Sequence, residues 1–411
     1  MYFFYNIILK IIIIISPIIF LIRIINGKED PKRFLEKFSI NSKKKKISKS
    51  VWIHAASVGE LMSVIPILNK LEQNKKIKKI IVTTTTISSS KIFLKHKFKK
   101  TFHKYFPLDS NYIINKFINY WKPQLAIFVD SEIWPNTIKN LNDKKIPIII
   151  LNARITKHSY KKWKFFPKFA NEVFKKISLA LPQNNETYRY LKSLGVKNLK
   201  MAGNLKYYGE KNLQKNNLMI KKKFENFKIW CAASTHQNEE IIIGSLHKKL
   251  KKNTKNLLTI IIPRHIKRTN EIIKDLENIN LKIITHSSKK LITNDTDVYL
   301  VDTYGEVSKF YELTNITFVG GSLIKHGGQN PLEPARLGNH IINGPYVNNF
   351  TEVYAFLKKN NVSLTIKNIN QMKKIVSEKI NYKISISNQK KIFNIGDKII
   401  SKNLFYIYKY L

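Results

Sequence analysis

Short apolar runs alternate with helix-compatible stretches along most of the chain, and this alternation restricts the fold more than any other feature. In the first half, the predicted strands are residues 51–56, 80–86, 125–129, 146–151, 179–181 and 199–202. In the second half, they are residues 229–233, 257–262, 281–284, 298–301, 316–319 and 340–343. Strands that alternate with helices form parallel sheets covered on both faces. The pattern therefore predicts an α/β protein with two doubly wound, Rossmann-like parallel sheets, joined by a lysine-rich linker within residues 206–227.

Composition narrows the class of protein. The 411 residues suffice for two domains, and the single cysteine, Cys231, excludes a disulfide framework and a cysteine metal cluster. The formal net charge of +46 is extreme, but the lysines are spread over the whole chain. A nucleic-acid surface would interleave basic residues with stacking aromatics, whereas the aromatics here fall mostly in apolar runs. We therefore favour compositional drift plus attraction to an anionic membrane surface, and expect no nucleic-acid partner.

The N-terminus carries a membrane-anchor signal. Residues 7–25 are nearly all apolar, and about 20 such residues cross a bilayer. Lys10 and Arg23 lie near the ends of this stretch, and no small-residue cleavage site follows it. The lysine-rich flank, including residues 43–46, then predicts a single-pass anchor with the bulk of the protein in the cytoplasm. A buried or interfacial helix is the alternative.

A glycine-rich segment lies between the predicted strand 316–319 and a helix-compatible run, residues 331–337. Its two glycine pairs are Gly320, Gly321, Gly327 and Gly328. Asn330 is a predicted N-cap, Pro331 fits the first helical position, and Glu333 follows three residues after the cap. Glycines at a strand-to-helix turn let backbone N–H groups approach an anion. The segment predicts a site for a phosphorylated nucleotide, although an ordinary glycine-rich turn is the alternative.

Polar residues also follow the predicted strands of the first half, at the end where such sheets bind ligands. These candidates are Ser57, Gly59, Glu60, Glu132, Asn152 and Arg154. Glu60 falls in the first turn of a predicted helix, where the helix dipole stabilises a carboxylate. It is therefore either a reactive carboxylate or an ordinary glutamate that pairs with the dipole.

The second half repeats the arrangement. The candidates there are Ser234, Thr235, His236, Arg264 and His265. The two hydroxyls can bind phosphate or cap the helix that bears Glu239 and Glu240. The guanidinium of Arg264 follows a strand and suits a bidentate phosphate contact.

Taken together, these segments resemble one known family. The motifs HAASVGE, SEIWPN, NARIT, GNLKY, AASTH, IPRH, DTYGE and GGSLIKHGGQNPLEP occur in the order found in 3-deoxy-D-manno-octulosonic acid (Kdo) transferases. The resemblance runs from about residue 51 to residue 350. It implies a GT-B glycosyltransferase: two Rossmann-like domains that face a cleft, preceded by a membrane-anchor helix. It also implies transfer of Kdo from CMP-Kdo to a lipid A precursor, lipid IVA, in lipopolysaccharide core biosynthesis at the inner membrane.

The resemblance also assigns regions and roles. Residues 1–26 would be the anchor, 27–205 the acceptor-binding domain, 206–385 the CMP-Kdo-binding domain, and 386–411 a helix that packs back on the first domain. Glu60 matches the general base, and Glu132 lies near the acceptor. The residues that match the CMP site are Arg264, Gly321, Ser322, Asn330 and Glu333.

The chemistry agrees with these residue types. A sugar hydroxyl attacks the anomeric carbon with inversion while a carboxylate accepts its proton. CMP carries one phosphate, so helix N-termini and Arg264 can stabilise the leaving charge, and we expect no metal and no cofactor. A GT-B transferase that uses a UDP-sugar on a lipid-linked acceptor is the alternative.

Overall fold

The computed structural model describes residues 1–40, 49–208 and 218–411. The chain forms two compact units, Met1–Tyr208 with Gly396–Leu411, and Gly209–Ile395. We call these the first and second units. The lysine run at 43–46 and residues 209–217 of the predicted linker lie outside the described residues.

The first unit is built on six parallel strands. They are β1 (Ser50–His54), β2 (Ile80–Thr84), β3 (Thr101–Tyr105), β4 (Pro123–Val129), β5 (Ile148–Ala153) and β6 (Leu179–Pro182). Its helices are α1 (Tyr2–Ile25), α2 (Val58–Gln73), α3 (Ile87–Leu94), α4 (Asn111–Trp121), α5 (Pro135–Asp143), α6 (Lys157–Phe165), α7 (Pro167–Phe174) and α8 (Asn185–Leu194). The strand order is β3-β2-β1-β4-β5-β6. The chain therefore reverses direction across the sheet between β1 and β4, where ligands of such folds bind.

The second unit is built on seven parallel strands. They are β7 (Lys228–Thr235), β8 (Leu257–Pro263), β9 (Ile283–Thr285), β10 (Val298–Leu300), β11 (Ile316–Val319), β12 (His340–Asn343) and β13 (Ser363–Thr365). Its helices are α9 (Leu218–Phe224), α10 (Glu239–Lys251), α11 (Thr269–Glu277), α12 (Val307–Leu313), α13 (Leu332–Arg336), α14 (Thr351–Lys359) and α15 (Ile369–Lys379). The order β13-β12-β11-β7-β8-β10-β9 places the reversal between β7 and β11. A last helix, α16 (Ile386–Tyr408), begins in the second unit and ends among first-unit residues.

Apolar residues cover both faces of each sheet. In the first unit, Val51 and Ile53 belong to one core and Trp52 to the core on the opposite face. Leu404 and Ile407 of α16 are buried in the same core as Val51. Strands buried on both faces need continuous apolar runs, because every side chain meets a core. The predicted α/β class, with two parallel Rossmann-like sheets, is confirmed.

One predicted strand is absent from the structure, and two observed strands were not predicted. Residues 199–202 do not form a strand; they contribute one isolated bridge between Leu199 and Ala180. The strands β3 and β13 were not predicted, and each lies at an edge of its sheet. In β3, buried residues alternate with less buried ones, so the continuous apolar run that marks the central strands is absent. One face of β3 is thus less covered than the faces of a central strand such as β1, which explains the weaker signal of β3.

Candidate active site

Glu60 is held at the start of α2 by a reciprocal capping box. The Ser57 hydroxyl donates to Glu60 Oε1 at 2.9 Å, and the Ala56 N–H donates to Oε2 at 2.7 Å. The Glu60 N–H donates back to Ser57 Oγ at 3.3 Å. Glu60 thus lies in the first turn of α2, as predicted, and the capping box fixes its position there. The capping box also orients the carboxylate at the carboxyl end of β1.

The surroundings of Glu60 make its carboxylate more basic. Burial raises the pKa of Glu60, and the negative charges of Glu132 and Asp130 raise it further. The hydrogen bonds from Ser57 and Ala56 act in the opposite direction without cancelling the rise. A carboxylate with a raised pKa is a stronger proton acceptor, which is the property a general base needs.

Glu132, after β4, is held as an anion. Trp134 Nε1 donates to Glu132 Oε2 at 2.8 Å, and His54 Nε2 lies 3.1 Å from the same oxygen. Burial would raise the pKa of Glu132, but the hydrogen bonds from His54 and Trp134 lower it below its usual value. The two glutamates therefore have opposite pKa shifts, as in sites where one carboxyl group exchanges protons and another stays charged.

A third group of polar residues lies after β4 and β5. The Asn152 side chain donates to Asp130, and Lys206 Nζ donates to the other Asp130 oxygen at 3.2 Å. Asn152 Oδ1 also accepts from the Leu205 N–H at 2.9 Å. Asn152 is fully buried, so it positions Asp130 and the chain near Lys206. Sequence reasoning did not select Asp130 or Lys206, although both lie in or beside motifs that carry the family resemblance.

The other candidate site residues of the first unit lie at the protein surface. Ser57, Gly59 and Arg154 are exposed. A Cβ atom at Gly59 would meet no atom within 4 Å, and Gly59 does not have positive φ. Neither packing nor backbone conformation therefore requires glycine there. The structure brings the predicted residues together at the ends of three adjacent strands, β1, β4 and β5.

In the second unit, the ends of β7 and β11 touch. A Cβ atom at Gly320 would lie 2.4 Å from the Ser234 carbonyl oxygen, so only glycine allows this approach. The His236 ring lies 4.2 Å from that of His326 and 6.1 Å from that of His265, measured between ring centroids. The Arg264 N–H donates to the Thr235 carbonyl at 3.0 Å, while the Arg264 side chain is exposed. The segments that follow β7, β8 and β11 thus meet at the carboxyl ends of these strands.

A buried carboxylate, rather than a ligand, occupies the N–H groups of the glycine-rich segment. Glu239 accepts from Gly321 N at 2.7 Å, Ser322 N at 3.1 Å and Leu323 N at 3.0 Å. It also accepts from His236 N at 3.0 Å. The N–H groups of Gly321 and Ser322 are thus already paired with Glu239, and a part of these two residues in nucleotide binding stays a prediction. These residues shape the loop, and Ser322 is fully buried with its hydroxyl bonded to the Val319 carbonyl.

The capping expectations also need correction. The N-cap of α10 is Asn238, so neither Ser234 nor Thr235 caps that helix. Thr235 Oγ1 is buried and has no hydrogen-bond partner among the residues that the structure describes. The prediction of Asn330 as N-cap and Pro331 as first helical residue was wrong by one position, because the N-cap of α13 is Pro331 and the helix begins at Leu332. Asn330 Oδ1 accepts from Leu332 N at 3.0 Å.

A polar cavity of about 300 Å³ adjoins the second glycine pair. It is lined by Lys325, His326, Gly327, Tyr346, Asn348 and Asn349. Gly327 and Gly328 both have positive φ, a backbone conformation that favours glycine. One lysine and two amides can hold an anionic, hydroxyl-rich group. Within residues 1–40, 49–208 and 218–411, no three His, Cys, Asp or Glu side chains are arranged to hold a metal ion.

Comparison with known proteins shows similarity to one family of transferases. Residues 32–208 match the family model described as 3-Deoxy-D-manno-octulosonic-acid transferase (kdotransferase). A 3-deoxy-D-manno-octulosonic acid transferase of Rickettsia bellii is 31% identical over 399 residues, which cover 96% of this chain and 94% of the relative. One of Haemophilus influenzae is 35% identical over 317 residues, which cover 75% of this chain and 73% of the relative.

Among solved structures, a UDP-GlcNAc 2-epimerase from Neisseria meningitidis, bound to UDP-GlcNAc, aligns with a TM-score of 0.57. The alignment covers 88% of this chain and 99% of the epimerase, at 15% sequence identity. At that identity, the likeness concerns the fold alone. It confirms the predicted GT-B class of two Rossmann-like domains.

Proposed function

The chain belongs to the 3-deoxy-D-manno-octulosonic acid (Kdo) transferase family, and on that premise we propose that it transfers Kdo from CMP-Kdo to a lipid A precursor with Glu60 as the general base. Kdo transfer in lipopolysaccharide biosynthesis follows from the family. The lipid IVA acceptor and the residue roles are the parts we propose.

The pair of unlike carboxylates is the observation that supports the catalytic role of Glu60. Its pKa is raised, in part by the charge of Glu132, and Glu132 is held ionised by His54 and Trp134. Glu60 is therefore the carboxylate better suited to accept a proton, whereas Glu132 is better suited to act as a fixed charge.

In the proposed step, an acceptor hydroxyl gives its proton to Glu60. Its oxygen forms a bond to the anomeric carbon of Kdo. The bond between that carbon and the phosphate oxygen of CMP breaks, and its electron pair leaves with CMP. Attack from the face opposite the leaving group inverts the configuration.

The donor residues that we propose lie in the second unit. Arg264 is exposed beside His265 and suits the phosphate of CMP, because a guanidinium can donate two parallel hydrogen bonds. His236 and the hydroxyls of Ser234 and Thr235 lie at the adjoining strand end. The remaining proposed donor residues form or follow the glycine-rich segment: Gly320, Gly321, Ser322, Gly327, Gly328, Asn330 and Glu333. We assign the cavity beside Gly327 to the Kdo moiety, because its lysine complements a sugar carboxylate.

We place the protein at the cytoplasmic face of the inner membrane, with α1 as its anchor. In the described part of the chain, α1 is the one helix long and apolar enough to cross a membrane. The net charge of +46 favours contact with an anionic leaflet and with an anionic lipid acceptor.

Product analysis tests this function directly. The detergent-solubilised full chain is incubated with lipid IVA and either CMP-Kdo or a panel of UDP-sugars, and the products are identified by mass spectrometry. We expect the mass of lipid IVA to increase by one or more Kdo units with CMP-Kdo and to stay unchanged with the UDP-sugars. A product formed only from a UDP-sugar would overturn the donor assignment, and the absence of any product of lipid IVA with every donor would overturn the acceptor assignment.

A further inference from the structure

The N-terminal end of α1 is bound to the first unit. The Tyr5 hydroxyl donates to the buried Asp109 carboxylate at 2.7 Å. The Asn136 side-chain amide donates to Asn6 Oδ1 at 2.8 Å, and the Tyr2 ring meets Phe169 edge-on at 5.1 Å. These contacts join the first two turns of α1 to the loop before α4, to α5 and to α7.

The C-terminal part of α1 is bound to the same unit. Phe20 is only 6% exposed, and its ring lies 6.1 Å from Phe34 and 5.6 Å from Phe38. The segment that carries these rings is itself attached to β3, because Glu36 accepts from the Tyr105 N–H at 3.0 Å. Both ends of α1 therefore rest on one folded unit.

The side of α1 that faces the unit carries nearly all of its polar residues. The less exposed residues recur every three or four positions from Tyr2 to Arg23, as expected for one helix face. They include Asn6 and Ser16, and the one polar side chain outside this row is Lys10. Apart from Lys10 and Pro17, the opposite side is isoleucine, leucine and phenylalanine; Ile14, for example, is 77% exposed. An exposed apolar face of this length is unstable in water and fits the acyl region of a lipid leaflet.

Two further exposed aromatic side chains lie next to a helix that packs on α1. Phe165 is 78% exposed and Phe166 is 46% exposed, at the junction of α6 and α7. They immediately precede α7, whose Phe169 contacts Tyr2 and Tyr5. The neighbouring lysines are exposed as well: Lys161, Lys162, Lys164 and Lys168. Exposed aromatics among lysines are complementary to an anionic lipid surface.

We infer that α1 lies in the plane of the cytoplasmic leaflet instead of crossing the bilayer, with its apolar face and the Phe165–Phe166 pair in anionic lipid. Between Tyr5 and Phe20 the helix runs about 22 Å, while the hydrocarbon core is about 30 Å thick. A crossing helix would have to release one of these attachments or draw the polar surface around Asp109 into hydrocarbon. The interfacial alternative is thus the one that the contacts support.

The orientation is tested with single new cysteines in the full chain, since the native Cys231 is fully buried and will not react. One cysteine is added before Met1, and the other is Lys28→Cys, just after α1. Each is labelled with a membrane-impermeant maleimide in spheroplasts and in inside-out vesicles. We expect both positions to react only in inside-out vesicles. Labelling of the added N-terminal cysteine from the periplasmic side would overturn the inference.

A flotation assay tests the lipid contact separately. The double variant Phe165→Ser with Phe166→Ser is compared with Leu291→Ser, an 83% exposed apolar residue of the second unit. We expect the double variant to bind vesicles of phosphatidylethanolamine and phosphatidylglycerol severalfold more weakly, with the control unchanged. Equal loss in both variants, or equal binding to phosphatidylcholine vesicles, would overturn the anionic-lipid contact. Kdo transfer measured in detergent separates these outcomes from failure of the proposed reaction.

Discussion

His54 Nε2 lies 3.1 Å from Glu132 Oε2, and this contact keeps a negative charge near Glu60. His54 is fully buried, and its Nδ1 lies 3.0 Å from Thr83, so the ring is held from both sides. The chain thus uses a buried histidine to stabilise one carboxylate, and that carboxylate raises the pKa of another. This order of contacts supports the proposed roles, in which Glu132 is the fixed charge and Glu60 the group that exchanges the proton.

Replacement of the proposed base, Glu60, should abolish most turnover. We expect Glu60→Gln to lower kcat by about 10²–10⁴-fold, because the amide keeps the shape but cannot accept the proton. Donor binding should change little. Steady-state kinetics and a thermal melt on the same preparation measure both effects.

The capping role of Glu60 needs its own control. Ser57→Ala removes the hydroxyl that contacts Glu60 Oε1 and should cost about 0.5–2 kcal/mol of stability. If Glu60→Gln reduced turnover no more than Ser57→Ala did, Glu60 would be a cap and not a base.

Removal of the neighbouring charge should shift the pH profile of the enzyme. Glu132 raises the pKa of Glu60, so Glu132→Gln should lower that pKa and move the acidic limb of kcat/KM to lower pH. Asp143→Asn, on the exposed end of α5, serves as the control and should leave the limb in place. A limb that stays fixed, or moves to higher pH, in Glu132→Gln would show that the two carboxylates are not coupled.

The central strands could be predicted because burial on both faces leaves a continuous apolar run. Residues 316–319 were predicted as a strand with the observed bounds of β11. The edge strand β3 was not predicted from the sequence because His103 and Lys104 interrupt the apolar pattern. The positions of Glu60 and Glu132 at the same end of the sheet could also be predicted, since parallel strands have their carboxyl ends on the same side.

The contacts that tune the site could not be predicted from local patterns. His54 and Glu132 are 78 residues apart, and Glu239 and Gly321 are 82 residues apart. From the sequence, Glu239 is an ordinary first-turn glutamate, and only the fold brings it beneath the glycine-rich loop. The loop N–H groups that would otherwise suit an anion are therefore occupied by the protein's own carboxylate.

Loss of the Glu239 carboxylate should weaken donor binding. In Glu239→Gln, a donor group replaces one of the acceptor oxygens that the loop N–H groups face. Leaving buried N–H groups unpaired should cost about 1–3 kcal/mol of stability. We also expect the KM for CMP-Kdo to rise on the order of tenfold, a shift of about 1.4 kcal/mol, with the KM for the lipid unchanged. Glu277→Gln, on exposed α11 surface, is the control. Equal changes in both KM values would indicate a general loss of structure instead.

Acid should destabilise the first unit through His103. Arg33 Nη2 donates to His103 Nδ1 at 2.9 Å, and His103 Nε2 lies 2.9 Å from Thr84 Oγ1, so the fold holds the neutral ring. Burial and the charge of Arg33 lower the pKa of His103 from its ordinary 6.5 to about 3.

Because the unfolded chain then binds a proton that the folded chain does not, this stability is complete above pH 6.5. It falls as the pH decreases toward 3, by up to about 1.4 kcal/mol per pH unit. Chemical denaturation of the full chain between pH 7 and pH 5 should therefore show a shallower pH dependence in His103→Gln than in the native protein. The comparison uses slopes, since the variant also loses two hydrogen bonds and will be less stable throughout. His158→Gln, an exposed histidine of α6, should keep the native slope, and an equal slope in His103→Gln would remove His103 as the acid-sensitive group.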